Sequence, residues 1–74
     1  MAVRPPPLVL NAAVSAKLRR TRTEILQKAG FQVEETAGFS GILDAIARTA
    51  PDLILVENPR DGSGIAVCQQ IEDN

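Results

Sequence analysis

The sequence predicts an α/β chain of three βα units with parallel strands. Three observations lead there. Two apolar runs, Leu8-Val9-Leu10 and Leu53-Ile54-Leu55-Val56, lack the alternation of a half-exposed strand, as strands covered on both faces do. Three other segments carry apolar residues at helical spacing. The connections are short, so successive units pack as right-handed crossovers on one parallel sheet.

Residues 1–7 are an entry segment stiffened by Pro5, Pro6 and Pro7, and residues 8–74 form the single domain. The first strand starts at Leu8. Ser15 offers an N-cap oxygen to a helix whose apolar positions are Val14, Leu18, Ile25, Leu26 and Ala29. Glu24 and Lys28 form a favourable i,i+4 pair on it. Gly30 stands where a glycine ends a helix, with Phe31 as the apolar residue after it. Phe31 to Thr36 reads as a second, more polar strand, broken by Gly38. Ser40 caps a second helix with Ile42, Leu43, Ile46, Ala47 and Ala50 on its apolar side, and Pro51 stops it. After the strand Leu53 to Val56, residues 58–64 are a loop by composition. Ile65, Val67, Cys68 and Ile71 begin a third helix that runs to Asn74, with Cys68 as a small core hydrophobe.

Composition narrows the function classes. The chain has 74 residues, 45% of them apolar, which is globular rather than disordered. Its one cysteine excludes an intrachain disulfide, and with no histidine the common structural zinc sites are gone. A lone thiol suits a reducing cytoplasm. No apolar stretch approaches the roughly 20 residues of a membrane span. Three prolines stand where the apolar core of a signal peptide would begin. Residues 1–28 carry a net charge of +5 and residues 29–74 a net charge of −6. Ser40 and Ser63 have no histidine base, so nucleophilic catalysis has no starting point, and Gly62-Ser63-Gly64 reads as a turn before a helix.

Three stretches carry a family likeness. They are Gln27 to Val33, Pro51 to Glu57 and Asp61 to Cys68. In this order and spacing they resemble the receiver domain of bacterial two-component response regulators, from about Leu8 to Asn74. The resemblance implies a partial flavodoxin-like fold, three βα units of the usual five, with sheet order 2-1-3. A working receiver holds Mg²⁺ with two acidic residues after its first strand. It takes a phosphoryl group on an aspartate ending its third. Here the acidic pair falls on Ala13 and Val14, whose side chains offer no oxygen to a hard cation. The acceptor position falls on Glu57, or on Val56 if the loop alignment slips by one. The Ser or Thr and the Lys that follow the fourth and fifth strands have no counterpart in these 74 residues.

The expected function is therefore a pseudo-receiver: a signalling module that is not phosphorylated, is not an enzyme, takes no metal or cofactor, and binds protein. A kinase, phosphotransfer or output domain is the implied partner. Glu57 is either a solvated carboxylate or a fixed charge imitating a phosphorylated aspartate. The basic cluster Lys17, Arg19, Arg20 and Arg22 is the candidate docking surface; the alternative is a small nucleic-acid binder using that helix. In the order 2-1-3 the third strand is an edge, and Leu53, Ile54, Leu55 and Val56 carry no proline, lysine or bulge signal to protect it. A homodimer through that edge follows. A chain of this size also buries too small a share of its surface to be secure alone.

Overall fold

The computed structural model describes residues 5–58 and 61–73. Met1 to Arg4 of the entry segment, Pro59 and Arg60 of the loop, and Asn74 as the end of the third helix lie outside the described residues. The elements are β1 (Leu8–Ala12), α1 (Ala16–Lys28), β2 (Gln32–Thr36), α2 (Ile42–Thr49), β3 (Leu53–Val56) and α3 (Ser63–Glu72). The three strands are parallel in the order β2-β1-β3, the arrangement of three flavodoxin-like βα units.

Register decides what each face carries. Val9 stands level with Val33 and Leu53, and Asn11 with Glu35 and Leu55. Side chains alternate along a strand, so these residues share one face, the one α1 covers. Leu10, Ala12, Ile54 and Val56 take the other. There they pack with Ile42 and Ala45 of α2 and Val67 of α3, helped by Phe39, Ile46 and Ile71. This second face holds the apolar core. The α1 face is different: no residue of α1 is buried.

Local chemistry explains the helix ends. Ser15 caps α1 as expected, its Oγ accepting from Leu18 N–H at 3.2 Å. At the other end Gly30 N–H reaches Gln27 C=O at 3.0 Å and Phe31 N–H reaches Leu26 C=O at 3.0 Å. This is a Schellman closure, and Gly30 supplies its left-handed φ of 97°. At α2 the expectation fails: the N-cap is Gly41, and no side chain caps the helix. The capping position falls one residue past Ser40, because Ile42 N–H bonds Phe39 C=O in a turn first. At the far end Ala50 is left-handed, with φ 47°, so that Pro51 can redirect the chain into β3.

Three further expectations need correction. Val14 and Ile25 are 56% and 62% exposed. The inward, half-buried arc of α1 runs through Leu18, Arg22 and Leu26, and Ile25 lies on its flank with no fourth layer to cover it. Cys68 is exposed, since the inward face of α3 is Gly64, Val67 and Ile71. Glu24 and Lys28 form no ion pair; among the described residues the salt bridge is Arg48 to Glu34 at 3.6 Å.

Candidate functional site

Open parallel sheets present ligands beyond the carboxyl ends of their strands. β1 runs on through Asn11 to Ala12, so the rim starts at Ala13. Here the fold brings together the three positions singled out after β1 and β3. Glu57 N–H bonds Ala12 C=O at 2.9 Å, which carries β3 alongside the start of the β1–α1 loop. Glu57 Oε1 then accepts from Ser15 N–H at 3.2 Å. Ser15 is the N-cap of α1, so the carboxylate stands at the positive end of that helix. Ala13 is fully buried and Val14 exposed. The one oxygen Ala13 offers, its carbonyl, is taken by Arg19 Nη1 at 2.8 Å.

Behind Glu57 the chain is backed by Gly64. A Cβ at that position would overlap the Glu57 carbonyl oxygen and stand 2.7 Å from Asn58 Cα. The second glycine of Gly62-Ser63-Gly64 is thus a contact residue, and Gly62, at φ 79°, is the turn residue. Asp61 Oδ1 accepts from Ser63 N–H at 2.9 Å, closing the turn before α3. That bond holds the Asp61 carboxyl below the ordinary value of 3.8.

The basic cluster divides. Arg19 folds back onto Ala13, and one Arg22 guanidinium nitrogen is buried without a partner. Lys17 and Arg20 remain exposed. Arg19 and Arg20 line a cleft of about 280 Å³ with Ala16, Thr23, Glu24 and Glu35. Its two cations face two carboxylates, so it has no sign bias toward a phosphate backbone.

Beneath this cleft lies a network that residue spacing did not reveal. Asn11 is fully buried on the α1 face. Its Nδ2 donates to Arg19 C=O at 2.9 Å and to Thr23 Oγ1 at 3.2 Å, and Thr23 Oγ1 donates to Glu35. Its Oδ1 has no partner. A polar residue within an apolar strand run was the available signal.

Leu53 to Val56 sit at the open side of the sheet, with Leu53 50% exposed and the other three half-buried. Among the described residues no three His, Cys, Asp or Glu side chains stand together as a metal site. Nor is any helix long and apolar enough to cross a membrane. No family model matches the chain, and neither a curated protein nor a solved structure matches it.

Proposed function

We propose that this chain is a cytoplasmic pseudo-receiver, a protein-binding signalling module that does not undergo phosphoryl transfer. The observation that carries the reading is the rim of the sheet. Glu57 offers one carboxylate there, already engaged with Ser15 N–H. Across from it Ala13 and Val14 contribute a buried methyl and an exposed isopropyl group. Phosphoryl transfer rests on positioning and on neutralising developing charge. A single carboxylate opposite two hydrocarbon side chains gathers neither the cation nor the incoming group.

The division of the basic cluster supports protein over nucleic acid as the partner. Phosphate tracking needs several free cations along a helix. Arg19 is bound to Ala13 C=O and Arg22 has a buried guanidinium nitrogen, leaving Lys17 and Arg20 exposed.

Two measurements test the proposal. Incubation with acetyl phosphate and Mg²⁺, read by intact mass, should leave the chain unmodified; gain of one phosphoryl group overturns it. Anisotropy of a labelled DNA duplex should stay flat as protein is added. Binding that weakens steeply with rising salt assigns the helix to nucleic acid instead.

A further inference from the structure

We infer, resting on the protein-binding reading above, that the trough between α1 and β3 receives an amphipathic helix of a partner protein, its apolar stripe flanked by carboxylates. Leu53 and Leu55 stand level with Val9 and Asn11, on the sheet face that carries α1. α1 packs over β2 and β1 rather than over β3. Leu53 is accordingly 50% exposed, and Leu55 is only half-buried. The helix supplies the wall. Thr23 turns to Glu35 of β2, so at 100° per residue the flank of α1 toward β3 carries Thr21 and Ile25. Ile25 is 62% exposed. Two leucines on the floor and an isoleucine on the wall make an uncovered apolar strip, of the kind that marks a protein contact.

Charge selects the occupant. Asp52 and Glu57, at the two ends of β3, are already bound by the N–H groups of Leu8 and Ser15, at 2.8 Å and 3.2 Å. Glu24 belongs to the cleft on the β2 side. What remains along the trough is cationic. Arg22 projects from the inward arc of α1 with one guanidinium nitrogen buried and unpartnered. Lys17 and Lys28, both exposed, lie on the Ile25 side near the two ends of α1. A guanidinium without an acceptor favours whatever brings it a carboxylate. A second copy would set these cations against their own kind, which disfavours self-pairing here. A helix fits the shape: the trough runs along α1, whose 13 residues span roughly 20 Å. Anchors at i, i+3 or i+4, and i+7 lay an apolar stripe into such a groove.

The probes are two fluorescein-labelled peptides of about 14 residues, both with leucines at that spacing, one flanked by glutamates and one by lysines. Titrated with the 74-residue chain, the glutamate peptide should bind at least about tenfold tighter by anisotropy, and the preference should shrink as salt rises. Arg22→Gln should narrow that preference. Leu53→Glu and Ile25→Glu should each weaken binding at least about tenfold, while Ile65→Glu, on α3 and 56% exposed, should leave it unchanged. All four positions are at least partly exposed, and far-ultraviolet circular dichroism checks that each variant is folded. Equal affinity for the two peptides, binding of neither, or a loss with Ile65→Glu as large as with Leu53→Glu overturns the proposal. So does a dimer that Leu53→Glu and Ile25→Glu both dissolve in sedimentation, since it gives the trough to a second copy. None of these outcomes alters the acetyl phosphate or duplex results, so the trough can fail while the protein-binding reading stands.

Discussion

Replacing Gly64 by alanine tests how the chain closes behind Glu57. The added Cβ meets the Glu57 carbonyl oxygen, Asn58 Cα at 2.7 Å and Asn58 Cβ at 3.1 Å. The first two are backbone atoms and cannot rotate away. Overpacking a filled site costs about 1–3 kcal/mol, and rigid neighbours push toward the upper end. Against this, alanine gains up to about 1 kcal/mol of helix propensity over glycine. The net loss is about 2 kcal/mol. A chain of 74 residues has roughly 4–11 kcal/mol in total, at 0.05–0.15 kcal/mol per residue. The midpoint of thermal unfolding should fall by roughly 8–16 °C. With no tryptophan or tyrosine in the chain, far-ultraviolet circular dichroism is the readout. Protein concentration is held fixed, because any self-association would feed into apparent stability. Gly38→Ala is the control, as nothing lies within 4 Å of its Cβ position. A Gly64→Ala chain as stable as the parent, or more so, would refute the close approach of α3 to the end of β3.

Three other substitutions follow from the same physical accounting. Ala50→Gly should stabilise the chain by about 0.5–1 kcal/mol in urea unfolding, since alanine at φ 47° bears a left-handed strain that glycine lacks; a loss of stability would count against that geometry. Asn11→Asp should destabilise by about 3 kcal/mol or more at neutral pH, because a buried carboxylate would face Arg19 C=O without a donor, and an unchanged midpoint would contradict the network. For Asp61 the sign follows from its lowered pKa: its contribution is present above 3.8 and fades as pH falls through the lower folded value. Asp61→Asn should therefore flatten the acid limb of a stability–pH curve below that point, and identical limbs would exclude the Ser63 bond.

Much of the architecture was legible because local signals agreed. Ser15, Gly30 and Pro51 mark helix ends by side-chain chemistry or backbone freedom, and each works without distant partners. Apolar runs without alternation marked β1 and β3, and β3 has the bounds expected of it. What escaped depended on tertiary surroundings. Whether Cys68 or Val67 faces inward is a rotation of 100° that ten residues of weakly amphipathic helix do not settle. Asn11 follows the apolar run Leu8 to Leu10 with nothing local to bury it, because its burial requires α1 to pass directly above it. Arg19 read as a surface cation until the β1–α1 loop supplied a carbonyl within its reach. Of the rim, the resemblance to receiver domains pointed to Ala13, Val14 and Glu57, whereas the Ser15 N–H that holds Glu57 is a main-chain group and leaves no trace in residue type.

The way α1 is attached bears on how the molecule opens. The helix contributes no buried residue. It is tied to the sheet by Asn11 to Arg19 C=O and Thr23, by Thr23 to Glu35, by Arg19 to Ala13 C=O and by Ser15 to Glu57. Each such bond contributes about 1 kcal/mol net, because water replaces the partner when the bond breaks. Apolar burial, by contrast, holds α2 on the opposite face. Peeling α1 from the sheet uncovers Val9 and the half-buried Leu18 and Leu26 but leaves the core on the other face intact. The expected first step of unfolding is loss of α1 as a unit while the sheet and α2 stay together. In hydrogen exchange this step separates the α1 amides from those of β1 and α2 by their opening free energy and by a shallow dependence on denaturant.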